Sequence, residues 1–379
     1  LEMSALLIDT PYGKIFHTGD WKLDAEPVIG QPSTEEQLRA VGDEGILALV
    51  CDSTNVFNSG DSGSEGSVKA DLIKSVKAAR GRVVVTTFAS NAARLQTLGE
   101  VAREAGRKLC FAGRSLQKII QASQATGYLK DLPELVDMEA VDGLPRHEVM
   151  VVATGGQGEA RAALARIAEG NHPVKLEEGD TVIFSSKQIP GNEIAIGHVM
   201  NHLARRNILT VTEKQAHVHV SGHPGRPELA KLYEWIRPQI LVPVHGERRH
   251  MAEQARFGLQ QGIAQAIVQS NGDVVRLAPK GPEKIGEEHT GRLAVDGDTI
   301  IAANGDTINQ RRRLSWYGLV SVAIALDGDD NLLGDPVIRV HGVPIEEDLE
   351  DFLDEAGLAI EKTVKEWRGD MDSLRESVR

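Results

Sequence analysis

Cysteine, aromatic side chains and long apolar runs are scarce in this chain of 379 residues. Its two cysteines, Cys51 and Cys110, stand in apolar stretches, which favours buried thiols over a disulfide. No apolar run is long enough to span a membrane, and the sequence opens without the pattern of a secretory signal. We therefore expect a cytoplasmic protein that has no membrane partner.

Basic side chains are outnumbered, because 42 lysines and arginines face 55 aspartates and glutamates and give a formal net charge of −13. Binding to phosphates depends on clustered basic residues, so the composition argues against a protein that coats nucleic acid generally. An enzyme with a locally basic channel is still compatible with these numbers. The dense basic clusters, residues 248–249 and 311–313, are interpreted as solvated faces. The length supports two or three domains.

Strands and helices alternate through the first half of the sequence. Predicted strands lie at residues 83–86, 108–112, 149–153 and 181–186, and predicted helices at 68–80, 91–105, 115–126 and 160–169. This alternation is typical of a parallel α/β sheet. Before it, residues 5–8 and 14–17 predict a hairpin, and residues 46–50 predict a further strand. The loop 58–67 is rich in Gly, Ser and Asp and is expected to be flexible or to face a substrate.

Four of the twelve histidines lie between residues 217 and 247. His217 and His219 alternate with valines, which predicts a strand with both imidazoles on one face. A polar loop with His223 follows, then a predicted helix, a buried strand at 240–244 and His245. Ligands of open α/β sheets bind beyond the carboxyl ends of the strands. This stretch is therefore predicted to form the rim of an active site.

Polar residues also follow other predicted strands. Asp20 and Asp52 stand at strand ends, and for Asp20 a carboxylate oxygen in this position suits Zn²⁺, Mn²⁺ or Mg²⁺. For Asp20 taken alone, a turn or a helix cap is the alternative. The glycine-rich turn 155–158 could cradle a phosphate or could be a plain tight turn. Asp52, this turn, Ser185 and His223 would emerge on one side of a sheet, which favours a functional site there.

Eight short motifs occur along the chain in a fixed order. They are HTGDWKLD (17–24), CDSTN (51–55), TTFASN (86–91), AGRS (112–115), ATGGQGE (153–159), SSKQIPGNE (185–193), HVSGH (219–223) and PVHGE (243–247). With these motifs the chain resembles ribonuclease J, of the β-CASP group of metallo-β-lactamase-fold nucleases. The resemblance covers essentially the whole chain, and HVSGH with PVHGE at this spacing is its most specific part. Gly156 stands where the family usually has serine, and Pro224 where it usually has a small residue.

The resemblance implies an α/β fold built from three domains. A partial metallo-β-lactamase αββα lobe would comprise residues 1–31 and 201–280. A β-CASP domain with a parallel sheet would be inserted between them at residues 32–200. A small C-terminal α/β domain would cover residues 285–379.

The C-terminal segment is predicted as a separate appendage, joined by the stretch 279–286, which is rich in Pro, Gly and Lys. Its pattern predicts two short strands within 296–309, a strand at 319–326 and two helical stretches broken at Gly357. The resemblance suggests that this domain helps the nuclease to dimerise or contacts RNA. The sequence alone fits a module for stability equally well.

One departure from the family is larger. The family's metal site is built on an H-x-H-x-D-H motif and a further histidine, both of which precede the HTGD segment, and the sequence contains neither. Either the sequence is a fragment of a longer protein or it is degenerate, and the intact downstream motifs favour a fragment. Two protein ligands are too few for a tight site, so we expect this chain alone to bind metal weakly or not at all.

The resemblance implies roles for individual residues. Asp20 would bridge two metal ions and His245 would bind one of them, with Zn²⁺ the first expectation and Mn²⁺ or Mg²⁺ the alternatives. Asp52 would be the acidic residue beside the metals, and His223 would transfer protons at the scissile phosphate. The phosphate or the terminal nucleotide would lie in a site lined by Ser53, Asn55, Gly156, Gln157, Gly158, His219, Ser221 and Gly222.

Two functions of different classes follow from these residues. The first is a zinc-dependent ribonuclease that cleaves single-stranded RNA as an endonuclease and as a 5′-to-3′ exonuclease in RNA maturation and decay, impaired in this chain. It would prefer a 5′-monophosphate end and act as a homodimer or homotetramer. The second is a non-catalytic RNA-binding or assembly subunit that has lost its metal site. A hydrolase of small molecules is disfavoured, because Asp52, His223 and the inserted α/β segment belong to nucleic-acid enzymes.

Overall fold

The computed structural model describes residues 3–189, 191–345, 348–367 and 374. The chain divides into two compact units, Leu1–Glu287 and Glu288–Arg379. Within the described ranges, no helix is both long and apolar enough to cross a membrane.

The first unit is a mixed α/β structure. Its strands are β1 (Leu6–Thr10), β2 (Gly13–His17), β3 (Ile46–Asp52), β4 (Val83–Thr86), β5 (Lys108–Ala112), β6 (Val149–Ala153), β7 (Thr181–Phe184), β8 (Leu209–Val211), β9 (Ile240–Val244), β10 (Gln265–Ala266), β11 (Asp273–Arg276) and β12 (Glu283–Glu287). Its helices are α1 (Glu35–Asp43), α2 (Lys69–Ala78), α3 (Ala92–Glu104), α4 (Arg114–Ala125), α5 (Ala163–Glu169), α6 (Glu193–Ala204), α7 (Arg226–Ile236) and α8 (Arg248–Gln260).

The first sheet has the strand order β1-β2-β3-β9-β10. The hairpin β1–β2 is antiparallel, as predicted, and every other pair in the sheet is parallel. Parallel strands are covered on both faces and are therefore apolar at almost every position. In β3, Leu49 and Cys51 pack against Leu229 and Leu232 of α7, whereas Ala48 packs on the opposite face. The carboxyl ends of β3 and β9 therefore meet at one edge.

The second sheet is entirely parallel, with the order β5-β6-β4-β7-β8. Helices α2, α3 and α4 cover one face through residues such as Leu72, Leu98 and Leu116. Helices α5 and α6 cover the other face through Leu164 and Leu203. The parallel α/β sheet that the alternating sequence predicts is confirmed.

The expected domain limits do not coincide with the limits of the two sheets. Strand β3 lies beyond the expected limit at residue 31, yet it pairs with β2 and β9 in the first sheet. Strand β8 lies beyond the expected limit at residue 200, yet it pairs with β7 in the second sheet. A strand belongs to the sheet in which its backbone N–H and C=O groups are hydrogen-bonded to a neighbouring strand. The pattern of residues along the sequence does not show which strand that neighbour is. The second sheet therefore takes its strands from residues 83–211.

Residues 217–220, expected to form a strand, make no β-ladder with another described strand. Their side chains nevertheless alternate between buried and more exposed positions. Val218 and Val220 are buried in the core of the second sheet, and His219 is half-buried. No neighbouring strand in the described ranges pairs with this backbone; the Val218 N–H donates to the Ala216 carbonyl at 2.8 Å, and side chains satisfy other groups. The N–H of His217 donates to Asp71 at 2.9 Å, and the Val218 carbonyl accepts from Ser185 Oγ at 2.7 Å.

The loop 58–67, expected to be flexible or to face a substrate, is anchored by a buried carboxylate. Glu228 of α7, 1% exposed, accepts hydrogen bonds from the N–H of Ser62 (2.9 Å) and from its Oγ (2.7 Å). The same carboxylate accepts from the N–H groups of Leu23 and Gly225 at 3.0 and 2.8 Å. One buried carboxylate thus joins four donors from three separate segments, because a buried charge is tolerated only when it is fully hydrogen-bonded.

A buried arginine ties the same loop to the second sheet. Arg94 of α3 is fully buried and donates through Nε to Glu65 at 2.6 Å. Its Nη1 donates to the carbonyls of Val218 and Ser185 at 3.1 and 3.2 Å. Planar guanidinium groups hold several acceptors in fixed directions, so Arg94 fixes the segment 217–220 against the second sheet.

The second unit is a small α/β structure. It comprises β13 (Leu293–Asp296), β14 (Thr299–Ala302), α9 (Asp306–Tyr317), β15 (Leu319–Ala323), β16 (Val337–His341) and α10 (Leu349–Glu366). The strands form two antiparallel pairs, β13–β14 and β15–β16. Its buried core includes Ile360 and Val364 of α10.

Three local expectations in the C-terminal part are wrong. The expected strand pair at 296–309 is a hairpin that ends at Ala302, and α9 begins at Asp306. The expected linker 279–286 overlaps β12, which pairs with β11 in the first unit. Helix α10 continues through Gly357, because a glycine among good helix formers weakens a helix by only about 1 kcal/mol.

We expect Glu228→Ala to destabilise the first unit by about 3 kcal/mol or more, because it leaves buried N–H groups without acceptors. Urea unfolding followed by the fluorescence of Trp21 and Trp235, both buried in this unit, measures the change. Glu234→Ala is the matched control on the same helix, since its carboxylate is 67% exposed. Equal unfolding midpoints for the two variants would contradict the anchoring role of Glu228.

Candidate active site

Asp52 is a buried carboxylate at the carboxyl end of β3, with 1% of its surface exposed. Its Oδ1 accepts the N–H of Thr54 at 2.8 Å, and its main-chain carbonyl accepts Gln254 Nε2 at 2.9 Å. Both the side chain and the backbone of Asp52 are therefore held in place.

His223 lies opposite Asp52 in the loop that precedes α7. Its Nδ1 is 2.6 Å from Asp52 Oδ2, so the imidazole donates this proton to the carboxylate. The loop backbone is also held, because the N–H of His223 donates to Ser221 Oγ at 3.1 Å and its carbonyl accepts Asn55 Nδ2 at 3.2 Å. His223 is thus aimed by its neighbours on both sides.

The hydrogen bond between these two residues favours their charged forms. Burial raises the pKa of the Asp52 carboxyl, but the hydrogen bond and charge of His223, with a contribution from Thr54, outweigh burial and hold that pKa below its usual value. Burial lowers the pKa of His223, but the hydrogen bond and charge of Asp52 outweigh it and raise the pKa. The nearby charge of Lys187 opposes this rise. The geometry therefore favours an imidazolium–carboxylate pair.

His245 follows β9 in a strained backbone conformation. Its φ angle is +54°, a left-handed value that costs a non-glycine residue about 1 kcal/mol. Thr54 Oγ1 donates to the His245 carbonyl at 2.6 Å and is 2.9 Å from its Nδ1. A Cβ atom on the next residue, Gly246, would lie 2.6 Å from Ser53 Oγ, so a side chain does not fit there. Such strain persists where the surroundings hold a residue for function.

Asp20, Asp52, His223 and His245 form one cluster, whose candidate ligand atoms lie within 4.8 Å of one another. His245 Nδ1 is 3.2 Å from Asp20 Oδ1 and 3.4 Å from Asp52 Oδ1. Two donors each about 2.1 Å from one tetrahedral zinc ion lie about 3.4 Å apart, so these separations fit shared coordination. Imidazole nitrogens with carboxylate oxygens are also a donor set that zinc accepts. The residues present therefore fit a divalent metal ion.

Asn55, His219 and Ser221, three of the residues predicted to bind substrate, line one cavity of about 540 Å³. Gly156 does not join them, because it lines a separate cleft of about 150 Å³ with Thr154 and Ser186. Of the eight residues expected to line one site, three therefore line this cavity together. Gly222 has open space where a side chain would be.

Two other candidates have their polar groups committed within the protein. Ser53 is fully buried, and its Oγ donates to the Val244 carbonyl at 2.8 Å, which joins the ends of β3 and β9. Gln157 is 5% exposed. Its Nε2 donates to the Lys187 carbonyl at 2.7 Å, and its Oε1 accepts the N–H of Ile189 at 3.0 Å. Gln157 therefore positions the loop after β7.

The close approach of the backbone of Ala195 explains why residue 158 is a glycine better than substrate binding does. A Cβ atom there would meet the backbone of Ala195 at the start of α6, and the φ angle of Gly158 is +75°.

Thr54 was not identified from the sequence as a site residue. The signal was available, because Thr54 belongs to the motif CDSTN (51–55) and lies two residues after Asp52. Gln254 was not identified either, and the sequence of α8 gives no signal for it.

Three family models match the chain over separate ranges. "Ribonuclease J, beta-CASP domain" matches residues 80–203, "Zn-dependent metallo-hydrolase RNA specificity domain" matches 210–263, and "Ribonuclease J C-terminal domain" matches 306–379. The first range contains most of the second sheet. The second range contains His219, His223 and His245.

Relatives over nearly the whole chain agree with these models. Ribonuclease J of Sinorhizobium meliloti is 43% identical over 384 residues, which cover 100% of this chain and 68% of that protein. Ribonuclease J of Corynebacterium glutamicum is 36% identical, covering 98% of this chain and 52% of that protein. Ribonuclease J of Synechocystis is 35% identical, covering 89% of this chain and 53% of that protein. The chain thus spans from about half to two thirds of the length of these relatives.

The mixed first sheet, the parallel second sheet, the carboxylate–histidine cluster and these matches define a hydrolase of the metallo-β-lactamase superfamily with a β-CASP domain, a class that uses a metal cofactor. Within that superfamily, the chain belongs to the ribonuclease J family of nucleases that process RNA.

We expect Asp52→Asn to lower the pKa of His223 below its ordinary value of 6.5. Without the Asp52 carboxylate, burial and the charge of Lys187 lower that pKa, and the charge of Asp20, which raises it, is a smaller effect than burial. Titration of the His223 imidazole by NMR, in the presence of a chelator, measures the shift. Asp61→Asn removes an exposed carboxylate and is the control. A His223 titration that is unchanged in Asp52→Asn would contradict the pairing.

Proposed function

We propose that this chain is the catalytic part of a zinc-dependent ribonuclease that hydrolyses phosphodiester bonds of single-stranded RNA. The observation that carries the proposal is the cluster of Asp20, Asp52, His223 and His245, with its 2.6 Å hydrogen bond, at the carboxyl edge of the first sheet. A cavity large enough for a nucleotide adjoins the same loop through Ser221. The names of the family and its relatives support RNA as the substrate.

The finer parts of the proposal follow the family resemblance. The enzyme would act in the cytoplasm during RNA maturation and decay, both as an endonuclease and as an exonuclease from a 5′-monophosphate end. It would assemble as a homodimer or homotetramer. Zn²⁺ is the preferred ion, because the imidazole of His245 suits zinc better than Mg²⁺, which takes oxygen ligands. We propose the inserted β-CASP domain as the part built around the second sheet.

Asp20 and His245 would hold the ion, with Asp52 Oδ1 facing the same point. A bound zinc ion supplies a water of lowered pKa and neutralises charge on the scissile phosphate. Asp20 is the more exposed ligand, with 60% of its side chain accessible, whereas 1% of the Asp52 side chain is accessible. The buried carboxylate thus orients its partners, and the exposed carboxylate contacts ion and substrate.

His223 would act as the general acid. Its Nδ1 proton is committed to Asp52, so exchange with the substrate falls to Nε2. The raised pKa favours the protonated ring, which donates a proton to the leaving 3′-oxygen as the P–O bond breaks and water adds to phosphorus. A positioned acid of this kind typically contributes about 10²–10⁴-fold to the rate.

In the full-length enzyme with its metals restored, we expect His223→Ala to lower turnover by about 10²–10⁴-fold with zinc content unchanged, because its imidazole moves a proton. We expect His245→Ala to lower both zinc content and turnover, because it removes a ligand. Zinc stoichiometry by mass spectrometry and single-turnover cleavage of a 5′-monophosphorylated RNA measure the two effects. His198→Ala, an exposed histidine on α6, is the control.

Near-normal cleavage by His223→Ala would remove this residue from the mechanism. If the full-length enzyme with its metals restored binds RNA but does not cleave it, the alternative of a non-catalytic RNA-binding subunit is favoured. If it binds no RNA, both functions are wrong for this chain.

A further inference from the structure

Gln254, near the middle of α8, is a fully buried polar residue behind the active site. The other buried positions of this helix hold Ala255, Phe257 and Gly258, and none of these has a polar side chain. Burying an amide is unfavourable unless the hydrogen bonds that it makes to water are replaced. An apolar residue would therefore be the default at position 254, and the glutamine there requires an explanation.

Among the described residues, only one end of the Gln254 amide is hydrogen-bonded. Nε2 donates to the main-chain carbonyl of Asp52 at 2.9 Å, whereas Oε1 is buried without a partner. The lost hydration of Oε1 opposes the gain from the hydrogen bond to Asp52. The amide as a whole thus adds little to the free energy of unfolding, and stability does not explain its presence.

The hydrogen bond to Asp52 lies beyond the point where the first sheet provides one. The ladder between β2 and β3 ends at the pair His17–Val50, two residues before Asp52. In a parallel ladder every second residue of a strand bonds the same neighbour, so the N–H and C=O of Asp52 point to the side of β2, past its end. Thr18 Oγ1 accepts this N–H at 3.4 Å, and Gln254 supplies the donor for the carbonyl. Two side chains thus hold the end of β3 beyond the last residue of β2.

The orientation of the Asp52 main chain matters because the Asp52 side chain aims His223. Asp52 Oδ2 lies 2.6 Å from His223 Nδ1, and a hydrogen bond this short tolerates little displacement of either residue. In the mechanism proposed above, the other ring nitrogen of His223 delivers the proton. A displacement of about 1 Å at such a site can lower the rate about 10²-fold. A loose end of β3 would therefore misdirect the imidazole.

We propose that Gln254 is a positioning residue for RNA hydrolysis. Its amide holds the main chain of Asp52, which keeps the Asp52 carboxylate, and with it the His223 imidazole, in place. This proposal rests on the ribonuclease function proposed above.

Cleavage by Gln254→Met in the full-length enzyme with its metals restored tests this role. Methionine has a similar length and shape but no hydrogen-bond donor. We expect single-turnover cleavage of a 5′-monophosphorylated RNA to slow about 10- to 100-fold, with RNA affinity and zinc content unchanged. The urea midpoint should stay close to that of the unsubstituted enzyme, because the variant loses a hydrogen bond and an unpartnered oxygen together.

Tyr233→Phe is the matched control in the same core. It removes another buried polar atom that has no partner among the described residues, the Tyr233 hydroxyl, and leaves the hydrogen bond to Asp52 in place. We expect this variant to cleave RNA at the unsubstituted rate.

Amide hydrogen exchange in the chain itself, with a chelator present, gives a readout that does not depend on activity. The N–H of Ser53 donates to the Val244 carbonyl at 2.9 Å, and the N–H of Thr54 donates to Asp52 Oδ1 at 2.8 Å. In Gln254→Met we expect both amides to exchange about 5- to 10-fold faster, because the end of β3 opens more often. The amides of β4, in the second sheet, should keep their exchange rates.

The outcomes separate this proposal from the proposed function. If Gln254→Met cleaves RNA as fast as the unsubstituted enzyme, the positioning role is wrong while the ribonuclease function stands. If the variant loses stability and the amides of β4 exchange faster as well, Gln254 is a structural residue and the proposal is wrong. If the unsubstituted full-length enzyme does not cleave RNA, the ribonuclease function fails. Unchanged exchange of Ser53 and Thr54 in the variant would show that Gln254 does not hold Asp52.

Discussion

The geometry of the site depends on one buried carboxylate. A charge that is 1% exposed at a strand end is destabilising unless hydrogen bonds and an opposite charge compensate it. Asp52 obtains both, from the Thr54 N–H and from the His223 imidazole. Thr54, which Asp52 holds through its N–H, in turn contacts His245. The order of the chain around β3 thus places a histidine on either side of Asp52 before any ion or substrate binds.

Polar residues near the site form two groups, according to whether their side chains already make hydrogen bonds within the protein. Ser53, Gln157, Glu228 and Arg94 are buried, and their hydrogen bonds hold loops and strand ends together. Lys187 is exposed on the loop that Gln157 fixes, and Asp20 is exposed beside His245. The residue type in a motif does not distinguish these groups, because a serine or glutamine can hydrogen-bond either to the protein itself or to a ligand. Whether the side chain is buried or exposed distinguishes the two roles.

Much of the fold and part of the site could be predicted from the sequence. Apolar strands alternating with helices indicated the parallel sheet, and the motifs around Asp20, Asp52, His223 and His245 indicated residues that the structure brings within 4.8 Å. Alternation at 217–220 separated the two histidines from the two valines, which are buried, but the strand that it predicted has no neighbouring strand among the described residues. The sheet to which β3 belongs, and the inward direction of Gln157, depend on contacts with distant segments, which periodicity does not record.

The segment that leads to His223 is attached at both ends. At Val218 it is held to the second sheet by Arg94 and Ser185, and at His223 it is held to the first sheet by Asp52. Five residues of extended chain reach at most about 18 Å, so the two sheets can separate only a little before one attachment breaks. A strand of RNA that forced the sheets apart would therefore detach His223 from Asp52 or Val218 from Arg94. His223, which we propose as the general acid, thus limits how far the two sheets can separate while the site stays assembled.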